Sequence, residues 1–310
     1  MLPLSPELLP VEDVANAEGV LATIAFGDPI DDALTTIPVP QLGGRPLAEV
    51  WRTRDPVRRG ACGAITYAAT DRVLIGTLGR DASDVEGTGA WVFDQIIEFA
   101  RTSGYPHLLR VWNHVGDINA VEGVTERYQS FCVGRHESFA RHGYALRADL
   151  PAASAVGALG RDYRGYFLAA REPGTQVENP LQVSAYDYPP QYGRRSPSFS
   201  RATVLRREGE SLVFIAGTAS IVGHETKHVG DVAMQTDETI RNIARVLEEA
   251  GAELGHLVLA KAYVRRAEDW TVVADRLRAT LGDTPVLYVR ADVCRVDLLV
   301  EVEGVARLSV

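Results

Sequence analysis

The chain has 310 residues, 46% hydrophobic and 24% charged, with a net charge of −9 and a pI near 5.3. This is a globular composition with room for one large or two ordinary domains, and it lacks the Lys/Arg stripe that a nucleic acid or an anionic membrane requires. No apolar run nears the ~18 residues of a membrane span, and the opening MLPLSPELLPVED lacks the basic and apolar regions of a signal peptide, so a cytoplasmic protein is expected.

In chain order, DRVLIGT (71–77) reads as an apolar strand ending on Gly-Thr. GAWVFDQIIEFARTSG follows, with Val92, Phe93, Ile96, Ile97 and Ala100 at helical spacing and Gly104 as its stop. PHLLRVWNHVGDIN is a strand and turn. Residues 180–202, PLQVSAYDYPPQYGRRSPSFSRA, are too rich in Pro and Ser for a helix or a central strand. They read either as an interdomain linker or as a loop lining a ligand cleft. ESLVFIAGT (210–218) is again a strand ending Gly-Thr, TDETIRNIARVLEEAG a helix stopped by Gly251, HLVLAKAYVRRAEDW a strand and turn, and TVVADRLRATLG a helix. TPVLYVRADVCRVDLLVEVEGVARL carries the strongest β signal.

The two halves run in parallel. Thr77 to Thr218 is 141 residues, Gly104 to Gly251 is 147, and Trp112 to Tyr263 is 151. Conserved element order with a slow drift in spacing is what duplication with loop insertions produces; two independent β-α-β units are the alternative.

Two motifs bear on metals. Cys62, Cys132 and Cys294 are scattered, with no Cys-x-x-Cys pair, so neither a disulfide framework nor a cysteine zinc site is expected. GHETKH (223–228) spells His-Glu-x-x-His, a zinc-peptidase pattern that works only on a helix, where both histidines share a face. Here Gly223 and Gly230 flank it, the preceding FIAGTASIV is a strand, and no third ligand follows on an amphipathic helix. His224 and His228 are therefore read as loop residues.

Six stretches carry the remaining information: RVWNHVGDIN (110–119), ERYQSFCVGRHESF (126–139), PAASAVG (151–157), NPLQVSAYDYPPQYGRRSPSFSRA (179–202), GTASIVGHETKHVGDVAMQTDETIRN (217–242) and ADVCRVDLLVEVEG (291–304). Together they resemble the chorismatase family, from about residue 70 to the C-terminus, while residues 1–60 match nothing recognisable. The resemblance implies an α/β (α+β) fold of two RidA/YjgF-like (chorismate-mutase-like) sheet-plus-helix units, arranged like part of a trimer. It implies a degenerate N-terminal unit with its extension over 1–170, a C-terminal unit over 171–310, and an active site in the cleft between or beside them. The implied partner is chorismate, bound without metal or organic cofactor by a monomer or small homo-oligomer.

Residue roles follow from the same resemblance. Glu301 is implied as the acid that protonates the enolpyruvyl methylene of chorismate. Arg135 and Arg194 are implied carboxylate partners, consistent with the bidentate chemistry of guanidinium. Tyr128, Tyr192 and Phe199 would wall the ring, and Gly217, Thr218 and Ala219 would end the strand that holds the ligand. Arg195 and Arg201 have a solvated surface as their alternative reading, and Tyr128 has the core. Strand alternation puts Glu301 and Glu303 on one face, with Val300 and Val302 opposite; a solvated face is the alternative there. Cys294, seven residues before Glu301, is implied to accompany formation of 3-hydroxybenzoate, whereas Ala219 leans toward the hydrolase branch that releases a dihydroxycyclohexadiene carboxylate. A RidA-type imine hydrolase would need an arginine where Val286 stands. A small-molecule sensor is the non-enzymic alternative.

Overall fold

The computed structural model describes residues 4–145, 147–207 and 209–309; the first three residues of the opening stretch lie outside it. The N-terminal segment forms β1 (Ser5–Pro10), a single turn α1 (Val11–Val14), β2 (Val20–Phe26), β3 (Thr35–Ile37) and β4 (Leu47–Arg52), paired as β1-β4-β2-β3. A first unit follows: β5 (Arg58–Cys62), β6 (Ile65–Ala69), β7 (Val73–Arg80), α2 (Val85–Thr102), β8 (His107–Gly116), the small hairpin β9 (Val121–Glu122) and β10 (Thr125–Glu126), α3 (Arg127–Arg141), β11 (Ala152–Ala158) and β12 (Tyr163–Ala170). The second comprises β13 (Thr175–Val177), β14 (Ala202–Arg207), β15 (Glu210–Ala219), the hairpin β16 (Ile221–Val222) and β17 (Glu225–Thr226), α4 (Val232–Glu249), β18 (Leu257–Val264), α5 (Trp270–Leu281), β19 (Val286–Arg290) and β20 (Val300–Ser309).

The two units share one topology, with strand orders β11-β8-β12-β7-β6-β5 and β19-β18-β20-β15-β14-β13. In each, the last strand lies antiparallel between the two strands that flank the long helix, β12 between β7 and β8 and β20 between β15 and β18, while β11 runs parallel to β8 and β19 to β18. The long helices match residue for residue. α2 and α4 are both 18 residues long and start on an aspartate whose side chain accepts a backbone N–H, Asp84 from Gly87 at 2.9 Å and Asp231 from Met234 at 3.0 Å. Such a cap contributes about 1 kcal/mol. Both helices are followed by a left-handed glycine, Gly104 (φ 82) and Gly251 (φ 80), which reverses the chain without a Cβ penalty. Caps and stops alike are spaced by 147 residues, since 231 − 84 and 251 − 104 agree.

Each six-stranded sheet has two buried faces. The outer face of the first packs Val92, Phe93, Ile96 and Ile97 of α2 and Phe131 of α3, and that of the second packs Ile243, Val246 and Leu247 of α4 and Leu277 of α5. The inner faces meet each other and the N-terminal sheet in a common core that includes Trp51, Trp112, Tyr166, Phe214, Leu259 and Tyr263. Three sheets thus close on one centre. Residues 5–52, which resembled nothing at the level of sequence, supply the third sheet, and the tryptophan at its middle is fully buried.

The strands and helices assigned from sequence are present, with the β stretch from Thr284 onward divided by a loop into β19 and β20; the N-terminal strands, β11, β12 and α3 were not assigned. ERYQSFCVGRHESF was read only as a motif, yet residues 127–141 are helical, with Phe131, Cys132 and Phe139 buried. Gly134 and Gly89 make the packing possible. A Cβ on Gly134 would strike the backbone of Glu86 and Ala90, and one on Gly89 the carbonyl oxygen of Phe131. The segment 180–202 has only two single helical turns, Ala185–Asp187 and Pro190–Tyr192. Among the described residues no helix is long and apolar enough to cross a membrane.

Candidate active site

A cleft of about 800 Å³, counting its open mouth, lies between the two units. The first unit contributes Tyr128 and Arg135 from α3 and Ala153 to Ala155 from β11. The second contributes Gly217 and Ala219 from β15, Glu301 from β20, the segment from Tyr188 to Arg201, and Cys294, Arg295 and Leu298 from the loop between β19 and β20. That loop is pinned from outside the cleft. Arg265 donates to the carbonyls of Val293, Arg295 and Leu298 at 2.7 to 2.9 Å, and Gln235 of α4 donates to Asp297 and accepts from the backbone N–H of Leu299.

Glu301 enters β20 opposite Ala219 on one side and Tyr263 on the other. Its alternation with Val300 and Val302 is as expected, but the shared face of Glu301 and Glu303 is not solvated: they are 4% and 1% exposed. The valines pack toward the helices and the glutamates point to the layer where the sheets converge, so both faces of the strand are buried. Burial, reinforced by the nearby negative charge of Glu303, pushes the Glu301 carboxyl up to about 8, against the opposing pull of Arg110 and Arg201. Burial also works against ionised Glu303. There it is outweighed by Lys261 and Arg110, with hydrogen bonds from Lys261 and Ser154, and the carboxyl falls to about 2. Two carboxylates on one strand are thereby divided into a neutral acid and a fixed anion.

Cation chemistry around the cleft is unusual. Arg135 is 1% exposed, its Nη2 contacts Cys132 Sγ at 3.5 Å, and its Nε has no hydrogen-bond partner. Arg201 is 3% exposed, donating to Tyr188 Oη at 2.9 Å and the Val183 carbonyl at 3.2 Å, with Nε unpartnered. Arg295 lies 4.0 Å from the ring centroid of Tyr192, and its Nη2 is unpartnered. Among the described residues none of the three forms an ion pair. Arg135 is fully buried and Arg295 half-buried, both without an ion pair, while Arg201 has only the nearby charge of Glu178 to offset its own; an anion in the cleft would complete these guanidinium groups, so the cleft suits a carboxylated small molecule.

The residues expected from sequence divide clearly. Glu301, Cys294, Tyr128, Arg135, Tyr192, Phe199, Gly217 and Ala219 all line the cleft. Arg194 does not: its side chain is 62% exposed and paired with Glu86 on the surface, because the turn at Pro190–Tyr192 and Gly193 carries it outward. Thr218 turns its hydroxyl to the Ala216 carbonyl at 2.9 Å, away from the cleft, as alternation along β15 requires. Arg201, whose alternative was a solvated surface, is buried between Tyr188 and Phe199. Arg295, Ser154 and Tyr188 were not anticipated; the arginine beside Cys294 was the available signal for the first.

GHETKH also finds its place. Its first half is the turn of the β16–β17 hairpin, and His228 is left-handed at φ 55, so no helical face presents both histidines. His224 Nδ1 lies 3.1 Å from Tyr192 Oη and its carbonyl accepts from Arg295 at 2.8 Å, tying the hairpin to the cleft rim. Among the described residues, no group of three or more His, Cys, Asp or Glu is placed to hold a metal ion.

A buried carboxyl that favours its acid form, in a cleft lined by three arginines outside ion pairs, can bind an organic anion and hand it a proton. Comparison with known proteins adds identity to that chemistry. Residues 49–169 match the family described as "Chorismatase FkbO/Hyg5-like, N-terminal", and residues 196–308 match "Endoribonuclease L-PSP". A protein named 3-hydroxybenzoate synthase from Streptomyces hygroscopicus is 39% identical over 84% of this chain and 81% of its own length. A chorismatase from Streptomyces rapamycinicus is 40% identical over 84% and 82%. A chorismatase crystal structure superimposes with a TM-score of 0.88 at 33% identity, covering 98% of both chains. With curated relatives and a solved structure spanning nearly all of it, this chain belongs to the chorismatase family, with a C-terminal RidA/YjgF (L-PSP) domain.

Proposed function

We propose that the protein cleaves chorismate to pyruvate and 3-hydroxybenzoate, with Glu301 as the proton donor. One observation carries the reading: Glu301, buried and pushed up to about 8, lines one cleft with Arg135, Arg201 and Arg295, none of which is held in an ion pair among the described residues. Chorismate is a dicarboxylate, and the arginines offer partners for both of its charges. Transfer of the Glu301 proton to the enolpyruvyl methylene carbon makes a methyl group and an oxocarbenium ion at the ether carbon. The carboxylate left behind stabilises that cation.

Two outcomes then balance. If water adds to the oxocarbenium carbon, the ether breaks and pyruvate leaves with a dihydroxycyclohexadiene carboxylate. If the ring hydroxyl instead attacks the neighbouring ring carbon, the bond from that carbon to the ether oxygen breaks and the oxocarbenium leaves directly as pyruvate. The hydroxyl proton returns to Glu301, and the ring epoxide opens with a proton moving from carbon to oxygen, so 3-hydroxybenzoate results with no net water. Cys294 on the cleft wall and the likeness to a 3-hydroxybenzoate synthase support the second.

The test is incubation of purified protein with chorismate, with and without EDTA, following pyruvate and the ring product by chromatography. Equal amounts of pyruvate and 3-hydroxybenzoate, indifferent to EDTA, are expected. A diene acid would retain Glu301 and discard the branch, and absence of pyruvate would overturn the reading.

A further inference from the structure

Behind the cleft, buried polar side chains from all three sheets form one continuous network. Glu49 of β4 accepts from Trp51 Nε1 at 2.8 Å, from Tyr166 Oη at 2.9 Å and from Lys261 Nζ at 2.7 Å. Lys261 of β18 donates onward to Glu303 of β20 at 2.7 Å. Glu303 also accepts from Trp112 Nε1 at 2.7 Å, from Arg110 Nη2 at 2.6 Å and from the Ser154 hydroxyl. All four charged members are nearly inaccessible, at 1% exposure each. Their charges alternate from the N-terminal sheet to the cleft wall: Glu49, Lys261, Glu303, Arg110. Arg110 lies over the Trp112 ring at 4.8 Å, and Trp112 stacks on Tyr166 at 4.3 Å, which fixes the spacing.

We propose that this ladder is a positioning device for Glu301, through which the N-terminal sheet and the fixed anion Glu303 decide whether the catalytic carboxyl carries its proton. The inference rests on the role of Glu301 proposed above. Glu303 has four donors on its two oxygens, which fills the acceptor sites of a carboxylate. It is therefore unable to share a proton with Glu301 and acts on it through its charge alone.

The groups that face Glu301 come from every surrounding element. Glu303 lies on its own strand, Arg110 on β8, Tyr263 on β18, Arg201 ahead of β14 and Cys294 in the loop before β20; Arg135 and Tyr128 of α3 line the same cleft. Arg110 and Arg201 favour ionised Glu301, while burial and Glu303 favour the acid. Lys261 and Arg110 keep Glu303 charged, and Glu49 offsets part of the charge of Lys261. The ladder consequently predicts the sign of each substitution. Glu303→Gln removes the anion and leaves Lys261 and Arg110 in excess, so Glu301 ionises at lower pH. Glu49→Gln also leaves Lys261 in excess and acts in the same direction, more weakly because it is further along. Lys261→Met removes a cation and moves Glu301 the other way.

The experiment is an infrared pH titration of the full-length protein, without substrate, reading the protonated-carboxyl band that disappears in Glu301→Gln made in each background. A downward displacement on the order of one to two pH units is expected for Glu303→Gln, a smaller one for Glu49→Gln, and an upward one for Lys261→Met. Should Glu303→Gln fail to fold, the opposite signs of Glu49→Gln and Lys261→Met decide the matter. An unmoved midpoint in both, or displacement in the same direction, overturns the ladder, since a merely structural network would lower stability without moving that midpoint. Chorismate cleavage surviving Glu301→Gln would overturn the catalytic assignment separately, because the infrared reading needs no turnover.

Discussion

Gly217 of β15 lies directly beneath the Glu301 carboxylate: a Cβ built on Gly217 would collide with Glu301 Oε1 and stand 3.1 Å from Ser154 Oγ. The backbone there is not left-handed, so the glycine is required by proximity alone. Gly217→Ala should displace the acid while leaving the strand paired. Misplacement by about 1 Å costs on the order of a hundredfold in rate, so kcat is expected to fall by about that factor. Unchanged kcat in a variant with native circular dichroism would show that the carboxylate does not act from this position.

The raised Glu301 and lowered Glu303 carboxyls act on stability in separate pH windows. Between an ordinary value near 4.5 and about 8, the unfolded chain ionises Glu301 while the native state keeps its proton. The native state then binds more protons, so stability falls as pH rises through that window. Glu303 is the reverse: its contribution is present above 4.5 and is lost as pH falls toward about 2. Glu301→Gln should therefore gain stability relative to the parent between pH 5 and 8, by an amount on the order of several kcal/mol. Denaturant titrations at pH 5 and pH 8 measure it; a constant difference between the two proteins would contradict a neutral Glu301.

Arginine substitutions should separate the cleft from the surface. Arg135→Gln and Arg201→Gln remove buried cations that line the cleft outside any ion pair, and each should lower kcat/KM by about thirtyfold to a thousandfold, equivalent to about 2–4 kcal/mol. Arg194→Ala breaks an exposed pair with Glu86 and should leave kcat/KM within about twofold. Equal effects from all three, measured by pyruvate release, would mean that the segment 188–201 closes differently when substrate is bound.

These contrasts mark where sequence reasoning reaches its end. A helix stop is a local feature, so Gly104 and Gly251 are legible in the sequence with their spacing. Strand alternation correctly put Glu301 beside Glu303, but whether that face meets solvent depends on a second sheet whose Arg110 is 193 residues away from Glu303. Arg194, Arg195 and Arg201 stand within eight residues, and nothing local says which one turns inward. Tyr188 and Phe199 select Arg201, and Gly193 directs Arg194 away. Arg295 was missed for the same reason: its partners Tyr192 and His224 are distant in sequence. The N-terminal sheet had no legible motif because its contribution is one buried charge, Glu49, and core packing around Trp51.

Cys294 gives the most direct check on product choice. Burial, with the neighbouring Glu301, pushes its thiol up to about 12, so at neutral pH it is an uncharged group rather than a nucleophile. It packs against Ala219, Ile221, Val293 and Leu298, making an apolar wall on the side of the cleft that also holds the acid. A wall of that kind keeps bulk water from the oxocarbenium carbon and leaves the ring hydroxyl as the nearer nucleophile. Cys294→Ser places a stronger hydrogen-bonding group there and admits water. Pyruvate release should persist, because Glu301 is untouched, while the ring product shifts from 3-hydroxybenzoate toward the dihydroxycyclohexadiene carboxylate. Alkylation should behave accordingly, with the exposed Cys62 modified well before Cys294. If Cys294→Ser makes only 3-hydroxybenzoate at the parental rate, the thiol has no part in the branch, and the choice must lie elsewhere on the wall, with Ala219 across the sheet from Glu301 as the next residue to exchange.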